Sequence, residues 1–385
     1  MQRTIRLQLQ PTPEQAGILR ETLRQNTVCF NAVAAHGWEQ GEKNGVELHR
    51  ATYYALREQH PQLPSQLVCA ARVKATEAIK SALALLKKGL KVSCPTSQSA
   101  PIRYDARSYR MMLDRNAVSL ATVAGRQVVE FALYGYAIKR LAQAVSFDSA
   151  DVFERGGVFW LHVVVTLAPV EVEPSEQVLG VDFGICRPAV SSDNRFFGER
   201  KWKNTEKRYF RLKRKLQSKG TKSAKRHLKK LRSRLTRFRS DCDHVVSRRI
   251  VQSVPQGTTI VIENLTEIRT GTRQHGAKQR RAMHQWPFKR LKDLLKYKAE
   301  EAGCAVVGVD PRHTSQVCSC CGFKHRGNRL SQSRFVCREC GFELNADLNA
   351  SRNIRNKYLV QSGKSTLDGA KSGALLCWAG ARASA

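Results

Sequence analysis

Two Cys-x-x-Cys-Gly units, Cys318–Gly322 and Cys337–Gly341, stand near the C-terminal end of this 385-residue chain, with fifteen residues between Cys321 and Cys337. No other feature restricts the fold so tightly. A Zn²⁺ ion takes four soft ligands in a tetrahedron, and two such turns supply two thiolates each. The glycine after each pair permits the turn that aims backbone amides at the sulfurs. Cys320 allows a competing Cys318-x-Cys320 reading. Cys321 is preferred because only it gives both pairs one spacing and the same following glycine. Cys318, Cys321, Cys337 and Cys340 are therefore the expected ligands of one structural zinc. A ribbon over 311–341 has too little core to fold without that ion. Four reduced thiols with no metal is the alternative, and the paired spacing argues against it.

Directly after the second pair comes Ala346-Asp347-Leu348-Asn349-Ala350, the expected start of a helix through Ile354. An acid at that helix start directs attention to carboxylates elsewhere in the chain. In 178–186, VLGVDFGIC, an apolar strand ends in Asp182, with Gly184 close behind. Taken alone, Asp182 fits a metal ligand or a strand-end turn acid equally well. Residues 258–265, TTIVIENL, form a second apolar strand that ends in Glu263. A third, Ala305 to Val309, precedes Asp310, but Pro311 follows and Asp310 reads as a turn residue. Asp182, Glu263 and Asp347 thus lie on separate elements of one α/β domain. Phosphodiester cleavage uses such a set to hold two Mg²⁺ ions. Oxygen ligands select Mg²⁺, or Mn²⁺, over zinc.

The net charge of +34 is uneven. Residues 1–177 hold 21 Lys/Arg against 16 Asp/Glu, whereas residues 178–385 hold 45 against 16. Such a surplus calls for a polyanion, and nucleic acid fits best because each neutralised phosphate releases counterions. It concentrates in 200–239, with 19 Lys/Arg and one acid. Leu228, Leu231, Leu235 and Phe238 share one helical face there, and Gln217 to Ser223 reads as a turn. The expectation is a basic helical hairpin over 200–250. Its candidate backbone contacts are Arg211, Lys213, Arg214, Lys215, Lys225, Arg226, Lys229, Lys230, Arg232 and Arg234. A merely solvated face is the bland alternative, but so many unpaired cations would repel one another strongly. No stretch approaches 18 apolar residues, so a membrane partner is not expected. Eight further cysteines are scattered without pattern, which fits a reducing cytoplasm.

In the first half, residues 1–10 alternate as a strand, with Ile5, Leu7 and Leu9 on one face. Thr12 reads as the N-cap of a following helix. A second helix is expected from Ser65 to Lys88, with a loop at Gly41 to Gly45. From Cys94 to Leu167 short strands take over, clearest at Val118–Val123 and Val158–Leu167. The expectation is a β-barrel interrupted by a helical insert, followed by a linker at Pro169 to Ser175.

VLGVDFGI, VIENL, TSQVCSCCG and FVCRECGFELNADLNASRNI resemble the motifs of TnpB proteins from bacterial insertion sequences, relatives of the compact type V CRISPR effector nucleases. The motifs cover 178–354. The resemblance implies an α+β multidomain chain. In it, 1–10 and 92–175 form a wedge-like β-barrel and 11–91 a helical recognition insert. A RuvC-like, RNase H-like nuclease domain spans 176–310 and 342–356, with the ribbon between. It implies cleavage of double-stranded DNA directed by a transposon-derived guide RNA, beside a short adjacent DNA motif. Matched singly, Asp182 comes from VDFG, Glu263 from IENL, Asp347 from ADLNA, and the four cysteines from the ribbon. Two other readings are an RNA-guided DNA-binding repressor and a transposase acting directly on element ends. The three acids argue against the first, and the basic hairpin and split N-terminal domain against the second. The ribbon departs from the family in its Cys-Ser-Cys-Cys run. Residues 357–385 match nothing in the family and read as a disordered tail.

Overall fold

The computed structural model describes residues 1–173, 175–185, 187–265 and 288–363. Two compact units divide between Pro169 and Val170.

The first unit opens with β1 (Gln2–Leu9), whose Ile5, Leu7 and Leu9 are buried in alternation. Then α1 (Pro13–Glu39) begins with a reciprocal capping box: Thr12 accepts from the Gln15 amide, and Gln15 accepts from the Thr12 amide. Two more helices follow, α2 (Gly45–Gln59) and α3 (Ser65–Lys87). The sequence reading had only a loop before α2. The remaining strands are β2 (Ile102–Tyr104), β3 (Tyr109–Met112), β4 (Ala117–Thr122), β5 (Gly125–Ala132), β6 (Ala144–Arg155) and β7 (Val158–Leu167). A short helix, α4 (Gly135–Ala142), precedes β6 and was not anticipated either. The seven strands lie in the order β2-β6-β7-β1-β5-β4-β3. The two edge strands, β2 and β3, are joined by residues 105–108 alone, so the sheet curls nearly closed. Two tyrosines bridge the seam: Tyr104 OH donates to the Ala121 carbonyl at 3.1 Å, and Tyr109 OH to that of Asp148 at 3.2 Å. One apolar core unites the helices and the sheet.

The second unit centres on a five-stranded mixed sheet, ordered β10-β9-β8-β11-β12. Its strands are β8 (Val178–Asp182), β9 (Ala189–Ser191), β10 (Phe196–Phe197), β11 (Thr259–Glu263) and β12 (Ala305–Val309). β8, β11 and β12 are parallel. Between β10 and β11 stands a hairpin of α5 (Arg200–Lys219) and α6 (Lys222–Gln252). Its turn is tighter than the expected 217–223: Gly220 is left-handed and Thr221 caps α6. α7 (Phe288–Glu301) joins β11 to β12. Beyond the cysteine segment, the hairpin of β13 (Arg334–Val336) and β14 (Glu343–Asn345) runs straight into α8 (Ala346–Gln361). α8 extends past Asn356, so 357–361 are helical and not part of a tail. The expected linker, Pro169 to Ser175, is fastened to this unit at its end: the Ser175 amide donates to Gly257 O, and just beyond it the Thr259 amide donates to Gln177 O.

Strand alternation sorts the sheet into two faces. Leu179, Val181, Ile260 and Ile262 pack with residues of α6 and α7. Val178 and Val261 pack with Ile354 and Tyr358 of α8. Gly180 lies on the α8 face, where a Cβ would meet the Ser351 carbonyl at 2.1 Å and the Arg355 amide at 2.7 Å. Only glycine lets the helix come this close. We expect Gly180→Val to push α8 off the sheet and destabilise the second unit by about 2–4 kcal/mol. Chemical unfolding and amide exchange across 346–361 will measure it; wild-type protection there would show that the contact is dispensable.

Candidate functional site

Asp182 and Glu263 close adjacent parallel strands, with Val181 registered against Ile262. By alternation both fall on the α8 face. Asp347 lies in the first turn of α8, where Asn345 Oδ1 accepts from the amides of Asp347 (3.1 Å) and Leu348 (3.3 Å). The three carboxylates, far apart in sequence, thus meet at one end of the sheet. Burial lifts Asp182 well above the usual carboxylate range, and the charges of Glu263 and Asp347 lift it further. Burial likewise raises Glu263, against the Thr314 hydroxyl, which donates to Glu263 Oε1 at 2.5 Å. Asp347 is raised by burial and opposed by Arg329, Arg187 and Lys203. Asp310, by contrast, is exposed, and its Oδ1 accepts from the Arg312 amide at 3.0 Å, a turn contact.

Arg329 and Thr314 had no signal in the sequence reading. Arg329 Nη2 donates to Asp347 Oδ1 at 3.1 Å, and its positive charge reaches all three acids. It comes from the cysteine segment, so that segment supplies the main counter-charge of the centre. The three carboxylates offer oxygen ligands, the kind that hard divalent cations take, but unlike the cysteine sulfurs their oxygens do not all lie within 4.8 Å of one another.

The four cysteines also converge. Their sulfurs all lie within 4.8 Å of one another, with Cys318 Sγ 3.8 Å from Cys340 Sγ and Cys321 Sγ 3.6 Å from Cys337 Sγ. A tetrahedral site with Zn–S bonds of about 2.3 Å needs sulfurs about 3.8 Å apart. Matching amide bonds build the two turns: Gly322 N to Cys318 O at 3.0 Å, Gly341 N to Cys337 O at 3.1 Å. Both glycines are left-handed, at φ 78° and 69°. The cluster therefore fits a single closed, four-thiolate ion. Cys320 is outside it and packs with the small core around Phe335.

Asparagines couple the two centres. Asn349 Nδ2 donates to Val317 O (2.8 Å) while its Oδ1 accepts from the Ser319 amide (2.9 Å), on either side of Cys318. One turn on, Asn353 Nδ2 donates to Thr314 O and Val317 O. The buried Asn328 joins the arms of the cysteine segment through Gln316 O, Phe323 O and the Arg338 amide. The spacing Asn345, Asn349, Asn353 was the available signal: polar residues repeating every four positions on one helix face that is nonetheless buried.

All ten candidate cations of the hairpin, from Arg211 to Arg234, are exposed, and none pairs with an acid among the described residues. Acids act only at its root, where Glu206 pairs with Arg239 and Asp243 with Arg290. No described helix is long and apolar enough to cross a membrane.

Comparison with known proteins follows this geometry. Residues 162–269 match the family model described as a probable transposase, OrfB_IS605, and residues 288–354 match the Cas12f1-like TNB domain. The chain is 43% identical over 130 residues to a CRISPR-associated endodeoxyribonuclease Cas12f1 of Sulfoacidibacillus thermotolerans, covering 33% of this chain and 29% of that one. It is 32% identical over 201 residues to the putative RNA-guided DNA endonuclease InsQ of Escherichia coli K12 (48% and 49%). A TnpB-like protein of Methanocaldococcus jannaschii is 29% identical over 155 residues (40% and 55%). The chain thus spans about a third to a half of these relatives' lengths. Its fold matches Cas12f1 from an sgRNA–target DNA complex with a TM-score of 0.64 and 16% identity, over 90% of this chain and 84% of that one. The chain is thus similar, over 162–269 and 288–354, to TnpB and Cas12f proteins. The first matched segment carries Asp182, Glu263 and the hairpin. The second carries the four cysteines and Asp347.

Two outcomes are expected. Metal analysis should find about one zinc per chain, and Cys337→Ser should lose it and deprotect 346–354 to amide exchange, because Asn349 and Asn353 hold α8 to that segment; a fully folded, metal-free wild type would refute the site. The acids have raised folded pKa values, so the folded metal-free protein binds more protons than the unfolded chain. Its stability should fall as pH rises above about 4. Asp182→Asn should therefore raise the metal-free Tm at neutral pH by about 2–4 °C and abolish stabilisation by Mg²⁺. A lowered Tm with the Mg²⁺ effect intact would show that the acids do not repel.

Proposed function

We propose that this chain is a TnpB-family, RNA-guided DNA endonuclease of an insertion sequence, cutting double-stranded DNA beside a short adjacent motif. The convergence of Asp182, Glu263 and Asp347 carries the reading: Asp182 stands desolvated under the like charges of Glu263 and Asp347, a repulsion that divalent cations would relieve. In this reading, 176–310 and 342–356 form a RuvC-like domain, 311–341 is its zinc ribbon, and the first unit combines a wedge barrel with the recognition helices. The three acids would hold two Mg²⁺ ions, or Mn²⁺, which activate a water and stabilise the leaving oxygen of the phosphodiester. Around them the chain's own groups do the positioning. Thr314 fixes one oxygen of Glu263, Arg329 orients Asp347, and Gly180 sets the depth of α8. Arg187 and Lys203 lie where a scissile phosphate approaches Asp347, and they neutralise its charge. The exposed cations of α5 and α6 suit the backbone of a guide–target duplex, which recognition by base pairing leaves to be held by charge alone. The curated relatives named as RNA-guided endonucleases support the same reading. The expected setting is the prokaryotic cytoplasm, at the nucleoid when bound to DNA.

Guide-loaded protein on a supercoiled plasmid with a matched target tests it. With one centre for two strands, a nicked form should precede the linear product. Asp182→Ala, Glu263→Ala and Asp347→Ala should each lose cleavage by orders of magnitude, non-additively, while retaining guide and target binding. Asp310→Ala should cut nearly as wild type. If Asp347→Ala cuts at the wild-type rate, the metal assignment is wrong. Reversing Lys225, Arg226, Lys229 and Lys230 should weaken nucleic-acid binding and flatten its salt dependence. An unchanged salt slope would leave the hairpin only a solvated face.

A further inference from the structure

We propose that a cavity beside the acidic centre is a subsite for one nucleobase of the strand being cut. The proposal rests on the nuclease reading. The cavity has a volume of about 310 Å³ at the root of α5 and α6. Its apolar walls are Phe197, Trp202, Phe238 and Leu291. Its rim is formed by Gly184, Ile185, Arg187 and Pro188, close behind Asp182 in the chain, and by Lys203. Arg187 and Lys203 are also cations whose charge reaches Asp347. The rim therefore adjoins the place where a scissile phosphate would bind.

The chemistry of the walls selects the occupant. Two carboxylates line the cavity, each with one oxygen committed: Glu206 Oε1 accepts from Arg239 Nε at 2.6 Å, and Asp243 Oδ2 from Arg290 Nε at 2.6 Å. Among the described residues, Glu206 Oε2 and Asp243 Oδ1 accept no hydrogen bond. The arginines already balance the carboxylate charges, so the site favours a neutral guest that donates. A flat ring with an exocyclic amine suits a cavity lined by Trp202 and Phe238 and brings donors for these acceptors. Adenine, cytosine and guanine carry that amine. Thymine has only one ring N–H, flanked by two carbonyls that would be set against carboxylate oxygens. The volume is at the small end of the usual pocket range of about 300–1,000 Å³, room for one ring system. A base turned out of its stack is the natural guest, with flanking phosphates left at Arg187 and Lys203. The structure thus assigns to this nuclease centre a base preference next to the cut, independent of guide pairing.

The test uses the full-length protein with its co-purified RNA and Ca²⁺ in place of Mg²⁺. The probe is a dT 12-mer with one central 2-aminopurine, whose own exocyclic amine suits the site, and unlabelled single-stranded dA, dC and dT 12-mers are the competitors. Wild type should change the 2-aminopurine emission, and dA and dC should displace the probe about tenfold more effectively than dT. Trp202→Ala should lose the emission change and the preference, and Trp202→Phe should restore part of both. Cys242→Leu, which fills the cavity without removing a wall, should also lose both while its Tm stays at or above that of wild type. It keeps the test decisive if Trp202→Ala fails to fold. Equal binding of the 12-mers with no effect of Cys242→Leu overturns the proposal. Cleavage of the same 12-mers in Mg²⁺ is scored separately. A wild type that shows the base preference but never cuts overturns the nuclease reading and leaves the cavity as a base-binding site.

Discussion

Three carboxylates that repel one another stay together here because α8 cannot retreat. Its backbone sits against Gly180 on the sheet side, at a distance no side chain would tolerate. From the other side Asn349 and Asn353 tie it to 314–319. The repulsion is thus opposed by packing and by hydrogen bonds between buried partners, each costly to break because the groups left behind would be unsatisfied. Asp182 and Glu263 need less restraint, since the parallel register of β8 and β11 fixes their spacing through the backbone ladder.

This arrangement explains why a cysteine cluster stands beside a carboxylate centre. The segment from Pro311 to Asn345 has a small core around Phe335 and two strands of three residues each. Such a segment gains little from burial alone. A tetrathiolate ion would make it rigid, and rigidity is what its position demands. Thr314 and Arg329 project from it to Glu263 and Asp347, and the Ser319 amide between two cysteines holds Asn349. The cysteine cluster would thereby fix the geometry of the carboxylate centre without sharing a residue with it.

What the sequence disclosed follows from how local each signal is. The strands ending in Asp182 and Glu263, the cap at Thr12, the paired cysteines and the charge of the hairpin are each contained within a few neighbouring residues, and they are where the structure has them. Helices α2 and α4 escaped notice because one is short and the other follows a loop whose glycines masked its start at Gly45. α8 ran past Asn356 because its last turn rests on Tyr358 packing against the sheet, a tertiary contact with no sequence periodicity of its own. Arg329 and Thr314 were illegible for the same reason. Nothing in their neighbours distinguishes an arginine aimed at Asp347 from the many that face solvent.

The distribution of positive charge completes the physical picture. Among the described residues the distal hairpin cations have no acidic partners, whereas at its root Glu206 pairs with Arg239 and Asp243 with Arg290. Pairing at the root lets polar side chains enter the packed interior between α5, α6 and α7 without an uncompensated charge. Lack of pairing further out leaves a field that an incoming polyanion can neutralise, and the repulsion among those cations is relieved when it does. In the proposed reading the distal cations would supply the attraction, while the Glu206–Arg239 and Asp243–Arg290 pairs brace the root. Charge alone can draw a backbone in, but only the paired and buried root can hold it in one position relative to the three acids.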